Sequence, residues 1–189
     1  PYRAASLREF WRRWHMTLSR FLRDYLYIPL GGSRHGLATQ LAALLATMTL
    51  GGLWHGAGWT FIAWGGLHGL GLAAGVLWRG RLPPLPKPLS WLLLTGFLIV
   101  TWVFFRAPDF AAAMALLSAM AGQASSGPVS HLATILAAAI VAMIGPNSQQ
   151  LVERLRPYSW LAPVSALATL ALLFKLGDGP AYEFIYFHF

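Results

Sequence analysis

The segment that decides the fold is residues 37–78, LATQLAALLATMTLGGLWHGAGWTFIAWGGLHGLGLAAGVLW. It contains no Asp, Glu, Lys or Arg, and a glycine-rich break separates two apolar stretches, 37–53 and 59–78. Each stretch has close to the ~20 residues that a helix needs to cross the hydrocarbon core of a bilayer. The segment therefore predicts two membrane-spanning helices joined by a tight turn.

Three further apolar stretches, at 89–105, 129–145 and 160–176, continue this pattern along the chain. A single stretch of this kind also fits a buried helix of a soluble protein, but five in succession indicate a polytopic membrane protein. We therefore predict an all-α bundle of about five spans, with residues 1–189 forming one membrane domain. Because the chain begins without Met and without a signal-peptide pattern, we expect an amino-terminal part of that domain to be missing.

The composition supports the same class of protein. Hydrophobic residues make up 57% of the chain and charged residues only 11%, whereas a soluble domain carries about 25% charged residues. The net charge of +8 would suggest nucleic acid as a partner of a soluble protein, but the low charge density argues against it. Basic residues concentrate in 1–36, 79–88 and 146–159. The positive-inside rule places these segments on the cytoplasmic side of the membrane, facing the anionic surface of the lipid bilayer.

Residues 6–27 precede the first span and predict an amphipathic helix. Ser6 and Glu9 form a capping-box pattern at its start, and Pro29 is expected to end it near Tyr27 by moving Ile28 out of the α region. One face is apolar (Leu7, Phe10, Trp11, Trp14, Leu18, Phe21, Leu22 and Tyr25), and the opposite face carries arginines (Arg8, Arg12, Arg13, Arg20 and Arg23). Such a helix is typical of one that lies along the membrane surface.

His55 lies in the glycine-rich break between the first two predicted spans. Gly51, Gly52, Gly56 and Gly58 allow the backbone to turn sharply and to approach other groups closely. A polar side chain in such a break marks a functional site, although a structural hydrogen bond between helices explains it equally well. The flanking indoles, Trp54 and Trp59, are expected to line a passage or to anchor the chain at an interface.

The other histidines are weaker candidates. His68 lies inside the second span, where a polar bridge between helices is favoured over direct catalysis. His15 lies at the border of the two helix faces, either as a simple boundary residue or at an entrance where Arg12 and its neighbours hold an anionic donor. His35, His131 and His188 lie in loops or near the end of the chain. No metal site is expected, because no HExxH motif is present and no carboxylate lies near His55 or His68 in sequence.

Two segments, REFWRRWHMTLSRFLRDYLYIPLGGSRHG at 8–36 and LGGLWHGAGWTFIAWGGLHG at 50–69, resemble the membrane-bound O-acyltransferase family. The resemblance is to its bacterial alginate O-acetyltransferase branch, which also acetylates other polysaccharides. FFRAPDF at 104–110 and EFIYFHF at 183–189 are similar to later landmarks of the family. Family members are far longer than this chain, and His188 stands where a Gln is expected.

The resemblance implies an O-acyltransferase with catalytic histidines at His55 and His15. It further implies that an acyl thioester such as acetyl-CoA enters from the cytoplasm as the donor, with no bound cofactor, and that the acyl group leaves toward a hydroxyl acceptor across the membrane. An alginate-like exopolysaccharide is the expected acceptor, reached through a periplasmic acetyl-accepting or transferring protein. Neutral His55 would act as the general base, and Arg8, Arg12 and Arg13 would bind the donor phosphates.

Two other functions fit the same residues. A transport or channel subunit would use the arginines at its mouth and the histidines in its conduit, but it lacks the charged intramembrane residues that proton-coupled carriers usually need. A non-catalytic scaffold would only dock a periplasmic transferase of a polysaccharide-modifying complex. The sequence alone leaves both alternatives open.

Overall fold

The structure, a computed structural model, describes residues 1–79, 81–123, 132–145, 153 and 160–177, with side chains up to residue 175 in the last range. All the regular structure within these ranges is helical, so the predicted all-α class is confirmed. The helices are α1 Leu7–Arg13, α2 Met16–Leu22, α3 Leu37–His55, α4 Trp59–Trp78, α5 Lys87–Arg106, α6 Phe110–Ser118, α7 Leu132–Ile144 and α8 Leu161–Gly177, with wider π-type turns at Arg23–Tyr27 and Ala119–Gln123.

The chain divides into two compact units, residues 1–132 and 133–189. In the first unit, α3, α4 and α5 are long and apolar enough to cross a membrane. They correspond to the predicted spans at 37–53, 59–78 and 89–105. The bounds of α4 match the prediction, and α3 continues to His55, two residues beyond the predicted end.

The second unit contains two shorter apolar helices. They overlap the predicted spans 129–145 and 160–176, but α7 has 13 residues and α8 has 17. Their described side chains are predominantly exposed. Both helices fall short of the ~20 residues of a perpendicular crossing, so their insertion across a bilayer stays a prediction. Residues 129–131 and, apart from residue 153, the basic segment 146–159 lie outside the described residues.

Glycines let α3 and α4 pack backbone against backbone. A Cβ atom added at Gly65 would lie 3.0 Å from the carbonyl carbon of Met48, and one at Gly69 would lie 2.9 Å from the Cα of Leu45. Both distances are too short for a real side chain, so only glycine permits this approach. Close packing through small residues therefore occurs at both positions, whereas Gly75 faces open space.

The amino-terminal segment differs from the single helix predicted over 6–27. Trp14 is extended, and His15 adopts the left-handed conformation with φ of 41° and ψ of 53°, so the chain breaks between α1 and α2. Left-handed backbone is unfavourable for a residue with a Cβ, and no sequence signal marks it here. The ring of Trp14 stacks on Phe10, one turn earlier, at a centroid distance of 5.6 Å. It also contacts Trp102 of α5 at 6.3 Å, so a tertiary contact accompanies the break.

The predicted ends of this segment are partly confirmed. The hydroxyl of Ser6 accepts a hydrogen bond from the Glu9 backbone N–H at 3.2 Å, while the Glu9 carboxylate accepts from the N–H of Ala5 at 2.8 Å instead of from Ser6. The π-type turn ends at Tyr27 as predicted, but Ile28 remains in the α region, so the expected effect of Pro29 is wrong. The left-handed φ values fall three residues later, at Gly31 and Gly32.

The apolar face of α1 packs against protein. Phe10 and Trp11 are buried in a core cluster with Trp64 of α4 and Leu94 of α5. The position of α1 along the membrane surface therefore stays a prediction, and its apolar side chains pack on the predicted spans. Farther along, Phe21 and Tyr25 are exposed and in ring contact at 4.9 Å.

Candidate active site

His55 is the last residue of α3 and lies within an aromatic cage. Its ring makes edge-on contacts with Trp54 at 4.9 Å, Trp64 at 5.4 Å and Phe105 at 5.1 Å between centroids. The side chain is 9% exposed. The glycine-rich break begins only after this histidine, so a regular helix end and three aromatic rings hold the imidazole in place.

His68 is completely buried in α4 and links two helices. The indole N–H of Trp11 in α1 donates a hydrogen bond of 3.2 Å to Nδ1 of His68. The imidazole also contacts the rings of Trp64 at 4.8 Å and Phe97 at 5.3 Å. The polar bridge between helices that was favoured for His68 from the sequence is therefore confirmed.

Trp64 joins the two histidines into one cluster. It is one helical turn before His68 on α4, and its ring contacts both imidazoles. In the sequence, Trp64 and Trp11 are indistinguishable from the other apolar residues around them. The spacing of Trp64 and His68, which places both on one face of a helix, is the signal that would have paired them.

Three side chains of this cluster carry buried polar atoms that lack a hydrogen-bond partner among the described residues. They are Nδ1 of His55, Nε1 of Trp64 and Nε2 of His68, and Oγ1 of the nearby cavity residue Thr47 is a fourth such atom. Folded proteins satisfy the great majority of their buried polar groups. Unpaired donors and acceptors concentrated around two histidines are therefore typical of a binding or catalytic centre.

A cavity of about 1100 Å³ opens next to this cluster. Trp11 and Phe97, which both contact His68, belong to its lining, and so does Met48 of the core. Five arginines also line it: Arg8, Arg12, Arg20, Arg23 and Arg79. The cavity thus combines a strongly basic rim with an apolar part that borders the histidine cluster.

The electrostatics of this rim favour an anionic ligand. Burial, together with the charges of Arg12 and Arg79, lowers the pKa of Arg8 from its usual value. Arginine remains charged in proteins all the same. Arg23 is partly neutralised by a bidentate pair with Asp24 at 2.7 and 3.1 Å, whereas Arg8, Arg12 and Arg79 form no salt bridge with a described residue.

The structure separates the sequence-predicted site residues into two groups. Arg8 and Arg12 line the cavity, and Trp54 contacts His55. Arg13 instead pairs with Glu9, outside the cavity lining. Trp59 is 74% exposed at the start of α4, so it lines no enclosed passage within the part of the chain that is described.

His15 lies in the break between α1 and α2, and its side chain is exposed. It lies within electrostatic range of His55. It does not belong to the cavity lining. Its left-handed backbone is strained for a histidine, and such strain is more common at functional sites than elsewhere.

The remaining histidines were the weakest candidates in the sequence. His35 is exposed in the turn before α3, and His131 and His188 lie outside the described residues. No group of three potential metal ligands occurs among the residues that the structure describes.

The cavity arginines Arg20, Arg23 and Arg79 were assigned no role in ligand binding from the sequence. Arg79 follows α4 and comes beside α1 only through tertiary contacts.

The sequence profile of the membrane-bound O-acyltransferase family, MBOAT, matches residues 1–116. This match covers more than half of the chain and includes the cavity and the whole histidine cluster.

Three relatives illustrate the similarity. The chain is 46% identical over 126 residues to the peptidoglycan O-acetyltransferase of Helicobacter pylori (65% of this chain, 24% of the relative). It is 48% identical over 121 residues to the probable alginate O-acetylase AlgI of Azotobacter vinelandii (64% and 24%), and 29% identical over 137 residues to the teichoic acid D-alanyltransferase of Streptococcus thermophilus (54% and 33%). The chain therefore spans only about a quarter to a third of the length of these relatives.

Proposed function

The chain belongs to the membrane-bound O-acyltransferase family, and from this premise we propose that the full-length protein transfers an acetyl group from a thioester to a polysaccharide hydroxyl. The single observation that carries the proposal is the position of His55. Its imidazole is nearly buried among aromatic rings. The ring of Trp64 lies between this imidazole and that of His68, and residues in contact with His68 line the basic cavity.

The chemistry of the transfer assigns a role to His55. The neutral imidazole accepts the proton of the acceptor hydroxyl as its oxygen attacks the thioester carbonyl carbon. A carbon–oxygen ester bond forms, the carbon–sulfur bond breaks, and the departing thiolate recovers the proton from the imidazolium. The products are an O-acetyl ester and a free thiol, and the histidine returns to its starting state. His15, at the break between α1 and α2, is proposed as the second histidine of the reaction.

The cavity is proposed to bind the donor. Its volume of about 1100 Å³ exceeds the ~300–1,000 Å³ usual for small-molecule sites and so suits a large, extended ligand. Arg8 and Arg12 would bind the phosphates of acetyl-CoA, since guanidinium groups match phosphate oxygens in bidentate geometry. Arg13 is the weaker candidate because Glu9 already pairs with it.

The acceptor is proposed to be a bacterial surface polysaccharide of the alginate type. The relatives named for alginate and for peptidoglycan are almost equally similar to this chain, at 48% and 46% identity, so similarity alone does not separate these two polysaccharides. A multi-pass position in the inner membrane, with the donor in the cytoplasm and a periplasmic acetyl-accepting or transferring partner, fits transfer to the cell surface.

An assay with acetyl-labelled acetyl-CoA tests this function. Membranes that contain the full-length protein are incubated with the donor and with alginate or peptidoglycan fragments, and ester-bound label is measured. We expect label on acceptor hydroxyls that is released by mild alkali. Solute flux without acetylation would indicate a channel instead, and neither activity would indicate a scaffold.

Filling the cavity from Gly75 is expected to weaken donor binding. A Cβ atom added at Gly75 meets no atom within 4 Å, and this residue lines the cavity, so we expect the side chain of Gly75→Leu to extend into the cavity without disturbing a helix contact. We expect KM for acetyl-CoA to rise on the order of tenfold, equivalent to ~1.4 kcal/mol of lost binding, and this is measured by steady-state kinetics.

Gly96 on α5 provides the matched control. It is also a helical glycine with open space around its Cβ position, but it lies outside the cavity lining. Gly96→Leu should therefore leave KM unchanged. Equal KM values for the two variants would show that this cavity does not bind the donor.

A further inference from the structure

Trp64 and His68 carry two buried nitrogen atoms that the polar bridge to Trp11 does not use. Nε1 of Trp64 and Nε2 of His68 have no hydrogen-bond partner among the described residues. The two rings lie one turn apart on α4, with their centroids 4.8 Å apart. Leaving a buried donor unpaired costs about 1–3 kcal/mol, so two such atoms side by side indicate that they are kept for a ligand.

The bond from Trp11 makes Nε2 of His68 a donor. An indole N–H can only donate, so Nδ1 of His68 must be the unprotonated nitrogen that accepts it at 3.2 Å. The single proton of the neutral imidazole then lies on Nε2. Trp11 is therefore a positioning residue that fixes both the orientation of His68 and its tautomer.

Both donors lie between the proposed base and the proposed donor cavity. The Trp64 ring contacts His55, while Trp11 and Phe97, on the other side, contact His68 and line the cavity. A thioester that reaches from the cavity toward His55 would come close to the rings that carry these two N–H groups. The carbonyl oxygen of the thioester can accept hydrogen bonds from these N–H groups, which have no acceptor among the described residues.

We propose that the N–H groups of Trp64 and His68 form a two-donor site for the carbonyl oxygen of the acyl group during its transfer; this inference rests on the proposed function. When the acceptor oxygen bonds to the carbonyl carbon, the C=O π electrons move onto the carbonyl oxygen. They return when the carbon–sulfur bond breaks. Two preorganised donors in an apolar, water-poor cluster stabilise that transient negative charge more strongly than the neutral ground-state carbonyl.

The proposal is tested with Trp64→Phe in the full-length protein. Phenylalanine keeps an aromatic ring against His55 but removes the N–H. Because loss of one such donor typically costs 10²–10³-fold in kcat, we expect a fall of that order with KM for acetyl-CoA unchanged. The thermal stability should not fall by the cost of a lost hydrogen bond, since the N–H that is removed has no partner. A residue with only a structural role would show the opposite pattern, with stability lost and kcat retained.

Two substitutions of His68 provide an independent test. His68→Gln carries an amide N–H that reaches close to the position of Nε2, whereas the shorter His68→Asn retains only an acceptor near the position of Nδ1, for Trp11. We expect the Gln variant to keep at least tenfold more activity than the Asn variant, which corresponds to ~1.4 kcal/mol of transition-state stabilisation.

Trp91→Phe is the control for the loss of an indole N–H, because Nε1 of Trp91 donates to the Tyr2 carbonyl oxygen at 2.8 Å on an exposed part of the chain. Its kcat should match the wild type.

If wild-type membranes transfer no label, the proposed function fails. If they do, normal kcat in a folded Trp64→Phe variant overturns the two-donor site, and where that variant does not fold, equal activity of the Gln and Asn variants of His68 does so.

Discussion

Replacing His55 with alanine in the full-length protein is expected to lower acetyl transfer by roughly 10²–10⁴-fold, the usual contribution of a general base. The imidazole ends α3 inside a cage of three aromatic rings, and no other histidine of the described ranges lies at this helix end. The acceptor hydroxyl would keep its proton during attack in the variant, so kcat should fall while KM for acetyl-CoA stays close to the wild-type value. Labelled acetyl transfer in membranes measures both quantities.

Two further variants make this result interpretable. His35→Ala removes an exposed imidazole from the turn before α3 and should leave the activity unchanged. His55→Asn keeps a polar side chain of similar volume in the cage but lacks a basic nitrogen, so it should be as inactive as the alanine variant while it accumulates normally in the membrane. Retained transfer by both His55 variants would remove His55 from the mechanism.

Gly65→Ala is expected to destabilise the packing of α3 on α4 strongly. A methyl group at this position would collide with the backbone carbonyl of Met48, which belongs to a helix and has no rotamer by which to move away. The two helices would have to separate, and overpacking of this kind typically costs about 1–3 kcal/mol, occasionally more. Thermal unfolding of the purified full-length protein in detergent measures the loss, and acetyl transfer should decline with it.

Gly75→Ala, on the same helix, is the control. Its Cβ meets no neighbour, so the higher helix propensity of alanine should leave stability unchanged or raise it by up to ~1 kcal/mol. Equal Tm values for the Gly65 and Gly75 variants would show that the close approach of α3 and α4 is not required for folding.

The sequence and the structure agree best where local properties decide. The predicted span 59–78 has the same bounds as α4, because a long uninterrupted apolar segment after a glycine-rich turn leaves few alternatives. The cap formed by Ser6 was likewise readable from two residues three apart. Disagreement is concentrated at Trp14 and His15, where the chain leaves the helical conformation despite an unbroken amphipathic pattern. There, long-range ring contacts such as that of Trp14 with Trp102 accompany the break.

The candidate site shows the same division. His55 was identifiable in the sequence because an imidazole is conspicuous among glycines and apolar residues. Arg8 and Arg12 were identifiable from the charged helix face. Trp64 was not, since an indole in an apolar helix has the same appearance whether its N–H is bonded, unpaired or facing lipid.

Composition, segment length and the order of charged loops are sufficient to specify a chain of membrane helices with a basic amino-terminal segment, because each helix satisfies its own backbone hydrogen bonds wherever its neighbours lie. The arrangement of the site depends on contacts between residues far apart in the chain. The bond from Trp11 to His68 crosses 57 residues, and it is this bond that determines which imidazole nitrogen carries the proton. No local pattern encodes such a contact, since it exists only after α1 has packed against α4.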